Sequence, residues 1–432
     1  MRAAAARTAY SALLRLVLPL YLLRLLWRAR REPLYRHALA ERLGLDARAA
    51  PGRLWIHAVS LGETRALAPL VDELRRRQPA LRLLLTHGTA TGRAAGAELL
   101  CPGDAQAWLP YDTPGAVRRF LTRQRPAVGV MMETEVWPNL LHAAHAAGVP
   151  MLLANARLSA RSLVKADRLS ALMRPAAARI TRALAQTDDD ARRLRAAGVR
   201  DVAVFGNLKF DMTPAPALLE RGRSWRAALA RPVVLAASTR EGEEPPLLAA
   251  WRALPAPRPM LVLVPRHPQR FDEVAGLAAA AGLALARRSE WQDAAPPAAQ
   301  AADLWLGDSL GEMPLYYALA DLALLGGSFA PLGGQNLIEA AACGCPLLMG
   351  PHTFNFAEAA ELALAAGAAR RMPDIEAAVR RAAALATDEA AAAERSAMAA
   401  AALAFAARHR GAAARTAQAI LSVLPRAASA PA

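Results

Sequence analysis

Residues 54–92 read LWIHAVSLGETRALAPLVDELRRRQPALRLLLTHGTATG, and this stretch decides the fold. Residues 54–59 are a short apolar run that reads as a buried strand, and residues 64–77 carry a helical pattern. Residues 82–86 form a second strand, followed by a turn at Gly88–Gly92 and another helix. Working outward, residues 127–132, 151–154 and 202–205 repeat the strand pattern with helical stretches between them. This βαβ alternation predicts a parallel sheet. Residues 211–217 break it with Pro214 and Pro216, a linker composition. The alternation restarts with strands expected at 233–237, 260–264, 321–325 and 346–349, and from about Ile375 the chain turns Ala-rich and helical. The expected architecture is α/β, with two Rossmann-like parallel-sheet domains facing a cleft, preceded by an N-terminal membrane-associated helix. The expected boundaries are 1–50 for the anchoring helix and its basic flank, 51–213 for the first domain and 214–432 for the second. Ligands of such sheets bind beyond the carboxyl ends of the strands.

Composition narrows the class. A chain of 432 residues exceeds one ordinary core. With 54% hydrophobic and 21% charged residues it is globular, and its net charge of +16 is carried by arginine. Replacement of Lys by Arg through codon drift preserves charge, so drift does not explain the positive sum. An anionic partner does: nucleic acid, a membrane surface or a phosphorylated substrate. Nucleic-acid binding would call for aromatics interleaved with the arginines, and aromatics are only 5%. Cys101, Cys343 and Cys345 lack a CxxC pairing and suit a reducing compartment.

Residues 10–27 are apolar but carry Arg15 and Arg24 with Pro19 between them, and Arg28, Arg30 and Arg31 come next. This fits an interfacial helix with its arginines on lipid phosphates. A single signal-anchor helix is the competitor, because arginines near helix ends can snorkel. The basic flank places the globular part on the cytoplasmic side in either case.

Lysine occurs only at Lys165 and Lys209, and asparagine only at Asn139, Asn155, Asn207, Asn336 and Asn355. Lys209 lies in Gly206-Asn207-Leu208-Lys209-Phe210-Asp211, where an ammonium could neutralise a phosphate leaving group or simply pair with Asp211. Glu63, in Ser60-Leu61-Gly62-Glu63, is either the N3 member of a capping box or a general base at a strand-to-helix turn. Gly62 favours the second reading, since glycine in a first turn weakens the helix unless something must approach closely. The tetrapeptide recurs as Ser309-Leu310-Gly311-Glu312, which reads as a similar turn in a similar domain. Met132-Glu133-Thr134-Glu135-Val136-Trp137-Pro138-Asn139 sets two carboxylates and a Trp at a strand end, or begins a helix with Pro138 at N1. In the second half, Pro265-Arg266-His267 comes directly after a strand. Gly326-Gly327-Ser328 leads into Gly333-Gly334-Gln335-Asn336-Leu337-Ile338-Glu339, a glycine-rich approach to a helix that suits phosphate. There Glu339 would accept ribose hydroxyls or complete a capping box on Asn336. Asp188-Asp189-Asp190 reads as helix-capping acids, and His142 with His145 lacks a third metal ligand. GxG spacing is absent and neither lysine precedes Ser or Thr, which excludes the dinucleotide fingerprint and the P-loop.

Together these phrases resemble the Kdo (3-deoxy-D-manno-octulosonic acid) transferases of lipid A assembly. The matching text is HAVSLGE at 57–63, METEVWPN at 132–139, GNLKFD at 206–211, ASTREGEE at 237–244, PRHPQRF at 265–271 and GGSFAPLGGQNLIEAAACGCPLLMGPHTFNF at 326–356, in order. The resemblance implies a GT-B fold and an inverting glycosyltransferase that moves Kdo from CMP-Kdo onto the lipid A disaccharide precursor (lipid IVA). It places the enzyme at the cytoplasmic face of the inner membrane. By motif, Glu63 would accept the proton, while Glu133 and Lys209 stabilise the transition state. CMP would contact Pro265, Arg266, His267, Leu310, Gly311, Glu312, Ser328, Asn336, Leu337, Ile338 and Glu339. No metal and no cofactor is implied, since CMP-Kdo is the donor substrate. The expected partners are CMP-Kdo, the lipid A precursor and an anionic membrane surface, with no nucleic acid. Gln335 and Arg240 stand where the family usually has His. The alternatives are another GT-B-fold enzyme, such as a sugar-nucleotide epimerase, or a basic non-enzymatic nucleic-acid-binding protein.

Overall fold

A computed structural model describes residues 2–425, which divide into two compact units, one running to Asp211 and resuming at Arg410, the other spanning Met212–His409. The first is built on seven parallel strands: β1 Leu54–His57, β2 Leu83–His87, β3 Ala105–Trp108, β4 Val128–Met132, β5 Met151–Ala156, β6 Arg182–Ala185 and β7 Val202–Val204, in the order β3-β2-β1-β4-β5-β6-β7. β1, β2, β4 and β5 are buried along their whole length. Helices cover both faces of the sheet, which is why these strands are near-continuous apolar runs. Trp55, Phe120, Leu140 and Leu153 fill one face, and Ile56, Leu67, Leu70 and Leu208 fill the other.

The last helix, Ala412–Val423, belongs to this first unit and not to the second domain expected to run to 432. It buries Ala412, Ala417 and Ile420 against that second face. Asp211 caps it, accepting from the N–H groups of Gly411 (2.5 Å) and Ala413 (2.7 Å). A cap supplied from so far away in sequence leaves no local signal.

Residues 2–50 likewise differ from the expected separate anchor and flank. The N-terminal helix Arg2–Arg28 is one continuous element through Pro19, long and apolar enough to cross a membrane. Its Tyr10 hydroxyl donates to Asp112 Oδ2 (3.0 Å), and its Ser11 hydroxyl donates to Asn139 Oδ1 (3.1 Å). The segment after it is built into the unit as well. Glu41 pairs with Arg93 (2.6 Å) and accepts the Trp108 N–H, and the Trp108 indole N–H donates to His37 O.

The second unit repeats the architecture with β8 Val233–Thr239, β9 Met260–Pro265, β10 Leu285–Arg287, β11 Leu304–Leu306, β12 Leu322–Leu325, β13 Leu347–Met349 and β14 Ala369–Arg371, all parallel, in the order β10-β11-β9-β8-β12-β13-β14. Each sheet breaks register beside its loops: β5 at Asn155 (φ +50°) and β8 at Ser238 (φ +57°). Such irregularities re-aim side chains next to functional sites.

Candidate active site

In the first unit, the loops leaving the carboxyl ends of β1, β4, β5 and β7 carry the candidate residues. Ser60 caps the helix Leu61–Arg77, its hydroxyl oxygen accepting the Glu63 N–H at 3.4 Å, while the Ser60 hydroxyl and the Val59 N–H each donate to the Glu63 carboxylate at 2.8 Å. These two bonds leave lone pairs on both oxygens, and the side chain is only half-buried. Burial pushes the Glu63 carboxyl above the usual range; the Val59 and Ser60 donors oppose this and the charge of nearby Glu133 adds to it. Capping and proton acceptance are therefore compatible in one residue.

Gly62 has no steric reason inside the protein. A Cβ there would meet nothing closer than Ser60 Oγ at 3.9 Å, whereas one on Gly88 or Gly92 would strike Val59 at 2.8–2.9 Å.

Glu133 comes directly after β4 with φ +57°, a left-handed conformation that costs a non-glycine residue on the order of 1–3 kcal/mol. The turn is held on both sides: the Glu133 N–H donates to Ala154 O (2.9 Å) and its carbonyl accepts from the Arg157 N–H (3.3 Å). The buried carboxylate pairs with Arg157 Nε at 2.9 Å and lies 3.6 Å from Lys209 Nζ. Lys209 is placed by the register break. Asn155 Oδ1 accepts from the Leu208 N–H (3.0 Å), Asn207 Oδ1 accepts from the Lys209 N–H (2.9 Å), and Asn207 Nδ2 donates to Gln186 (3.0 Å). Asp211, the alternative partner for Lys209, is instead engaged as the helix cap.

Glu135 is a third carboxylate that sequence reasoning left without a role. Burial, with Glu63 as the next cause, pushes its carboxyl up to about 7. Three acids that act on one another, one of them paired with Lys209 and Arg157, form a cluster in which one proton is readily held or passed on.

In the second unit, Pro265 ends β9, and Arg266 and His267 come next; the Arg266 N–H donates to Thr239 O (2.9 Å). Burial and the neighbouring Arg240 push the His267 imidazole below its ordinary value, a sign of a basic surrounding. The glycine-rich segment is organised by a residue that its sequence context does not single out. Buried Glu243 accepts from the N–H groups of Arg240 (2.9 Å), Gly327 (2.6 Å), Phe329 (3.0 Å) and Ala330 (3.3 Å). In sequence it lies within ASTREGEE at 237–244, a phrase that does not tell its three acids apart.

Ser328 is fully buried, its hydroxyl spent on Leu325 O and the Gly350 N–H. Leu337 and Ile338 turn their side chains into the core, so only their backbone can face a ligand. Asn336 caps the helix Leu337–Ala342 through the Ile338 N–H, and Glu339 lies in its first turn. Gln335 and Arg240 are neighbours: a Cβ on Gly327 would lie 3.0 Å from Gln335 Nε2 and 3.5 Å from Arg240 Cγ.

The second Ser-Leu-Gly-Glu repeats the Ser-to-Glu side-chain bond of the first, Ser309 to Glu312 at 2.5 Å, but not its backbone. Gly311 has φ +81°, and Glu312 precedes the helix Met313–Leu319 rather than sitting inside it. Glu312 pairs with Arg288 (2.9 Å) and Arg221 (3.7 Å), while Leu310 is 75% exposed. Asp188-Asp189-Asp190 occupies a first helical turn capped by Thr187.

The family model described as 3-deoxy-D-manno-octulosonic-acid transferase (kdotransferase) matches residues 37–212. The 3-deoxy-D-manno-octulosonic acid transferase of Bordetella pertussis is 52% identical over 390 residues, 86% of this chain and 90% of that protein. The chain belongs to the Kdo transferase family. The transferase of Haemophilus influenzae is 36% identical, over 81% of this chain and 83% of that protein. Among solved structures, a glycosyltransferase from Rickettsia africae aligns at a TM-score of 0.57 with 10% identity, covering 88% of this chain and all of that one. The UDP-GlcNAc 2-epimerase of Neisseria meningitidis aligns at 0.56 with 15% identity, covering 86% and 99%. These two likenesses are of fold alone, and they give the transferase its GT-B type: two Rossmann-like units in one chain. As a Kdo transferase it is a glycosyltransferase, an enzyme whose acceptor hydroxyl has a proton to lose and whose donor has a leaving group to stabilise.

Proposed function

We propose that this transferase moves Kdo from CMP-Kdo onto a hydroxyl of the lipid A disaccharide precursor, lipid IVA, with inversion at the anomeric carbon. The observation that carries the reading is the first unit's cluster: Glu63 with a raised carboxyl, beside a Glu133–Lys209 pair held at 3.6 Å by a strained turn. Glu63 accepts the proton of the attacking hydroxyl. The oxygen forms its bond to the anomeric carbon as the bond to the CMP phosphate breaks, and the electron pair leaves on CMP. Lys209, oriented by Glu133, offsets the negative charge that develops on the departing phosphate. Donor binding falls to the second unit, to Arg266, His267, the Leu310–Glu312 turn and Asn336–Glu339, together with the glycine-rich loop that Glu243 holds. The N-terminal helix docks the enzyme on the anionic cytoplasmic face of the inner membrane, where an acylated acceptor resides.

Purified protein given CMP-Kdo should release CMP only when the lipid A precursor is present, with a Kdo-bearing product detected by mass. Acceptor-independent release, or none at all, would overturn the assignment. Glu63→Gln should lower turnover by about 10²–10⁴-fold while CMP-Kdo binding, measured by calorimetry, persists. Near wild-type turnover would leave Glu63 a helix cap and nothing more.

A further inference from the structure

The first unit holds a cavity of about 330 Å³, near the lower end of small-ligand sites. We infer that it takes one acyl chain of the amphipathic acceptor, with the cations at its mouth holding acceptor phosphate. This rests on the proposed lipid A precursor as acceptor.

The floor and walls are apolar, formed by Leu153, Leu158, Leu169, Met173 and Leu194. The mouth is basic. Arg157, Lys165 and Arg174 line it against one acid, Asp167, which lies 3.7 Å from Arg174. An apolar pit rimmed by excess positive charge is complementary to an acyl chain attached to a phosphorylated head. Its position relative to the chemistry is the second argument. Arg157 belongs both to the cavity and to the Glu133 pair at 2.9 Å, and Thr134 lines the cavity beside that same glutamate. A chain seated here puts its sugar beside the carboxylate cluster.

The wall is the third argument. The helix Ala160–Arg168 buries no residue, and next to it Leu169 is 59% exposed, with Val164 on the helix at 55%. A wall with so few buried contacts opens at low cost, as entry of a chain requires. Lys165, one of only two lysines, sits on this wall.

The test uses the full chain and two readouts. One is titration of a dansyl-labelled medium-chain fatty acid, displaced by the acylated precursor. The other is the ratio of kcat/KM for the acylated precursor to kcat/KM for the same disaccharide bisphosphate stripped of its acyl chains. Met173→Trp, which fills the cavity, should weaken probe binding and lower that ratio about tenfold, whereas Met173→Leu should restore both. Lys165→Glu, on an exposed position that does not threaten folding, should raise the acceptor KM several-fold by reversing charge at the mouth. Wild-type behaviour of both Met173→Trp and Lys165→Glu would overturn the proposal. So would equal loss on both acceptors, or displacement of the probe by phosphatidylglycerol vesicles as readily as by the precursor. Should the wild-type protein transfer Kdo to neither acceptor, the functional reading fails, while the probe titration still reports separately on the cavity.

Discussion

Lys209 Nζ lies 3.6 Å from Glu133 Oε1, and the two residues come from the loops after β7 and β4. The pair depends on two departures from easy backbone geometry: Glu133 itself at φ +57° and Asn155 at φ +50°, whose carboxamide holds the Leu208 N–H. Strain of this kind persists only where surrounding bonds over-determine it. Here it aims a compact ammonium and a carboxylate at one another.

A guanidinium is planar and broader than an ammonium, so Lys209→Arg should not restore the geometry. Leaving-group stabilisation acts mainly in the transition state, so kcat should fall more than KM rises. Lys209→Ala should lose about 10²–10³-fold in kcat, with Lys209→Arg intermediate. Full activity in Lys209→Arg by steady-state kinetics would reduce Lys209 to a surface charge.

Gly62 separates packing from function. Since a Cβ there meets only Ser60 Oγ, at 3.9 Å, Gly62→Ala should raise helix stability by up to about 1 kcal/mol. It should also lower kcat/KM for the acceptor, because the methyl intrudes where substrate approaches Glu63. A thermal melt and a kinetic assay on one variant decide this. Higher Tm with unchanged activity would contradict the close-approach argument.

Glu135 makes stability depend on pH. Its folded carboxyl stands at about 7 against an ordinary 4.5. Below 4.5 it is protonated in both folded and unfolded chains. As pH rises between the two values the unfolded chain loses its proton first, so stability drops, and the loss is complete above 7. Glu135→Gln should therefore be more stable than wild type well above pH 7, by at most about 3 kcal/mol, with the difference vanishing toward pH 4.5. Melting curves for wild type and variant that stay parallel from pH 4.5 to above pH 7 would remove Glu135 from the cluster.

The central strands of both sheets were legible because strands buried on two faces leave apolar runs. Five strands were not: β3, β6, β10, β11 and β14 are only three or four residues long, and four of them carry polar or charged residues. Glu63, Glu133 and Lys209 stood out by residue type and position at strand ends. Their partners did not, since Arg157 and Glu135 acquire meaning only when β1, β4, β5 and β7 are brought side by side. The repeated Ser-Leu-Gly-Glu misled, because the same four residues serve two turns. In one a helix has already begun at Leu61; in the other a left-handed Gly311 comes before the helix begins.

Glu243 should prove as costly to remove as any residue that touches a ligand. Four N–H groups converge on its carboxylate, and each donor left unsatisfied in a buried place costs about 1–3 kcal/mol. Glu243→Ala should lower Tm and weaken CMP-Kdo binding together. Glu243→Gln should do so partially, since its amide nitrogen faces N–H donors. Normal donor binding in Glu243→Ala would show that the glycine-rich loop is ordered without it.

The N-terminal helix carries the last prediction. Ser11 and Leu25 are buried against the unit, while Leu13, Leu16, Leu20, Leu23 and Trp27 lie on the opposite side, with exposures of 58%, 76%, 66%, 63% and 63%. Their spacing of three and four residues makes one apolar stripe. Contacts with the unit run along the helix: Tyr10 to Asp112, Ser11 to Asn139, and Leu25 and Ala29 in a cluster with Trp108. A helix tied along its length presents its free face sideways, so the prediction is that it binds a membrane by lying in the surface rather than crossing it, with Arg30 and Arg31 near the headgroups. Leu16→Glu with Leu20→Glu should then leave folding intact, because both positions are exposed. The double variant should bind anionic vesicles at least about 10²-fold more weakly, as each buried leucine contributes about 1.5–3 kcal/mol. High salt should weaken the wild type further through its arginines. Sedimentation with phosphatidylglycerol vesicles measures both effects. Undiminished binding of the double variant would mean that the stripe is not the membrane face.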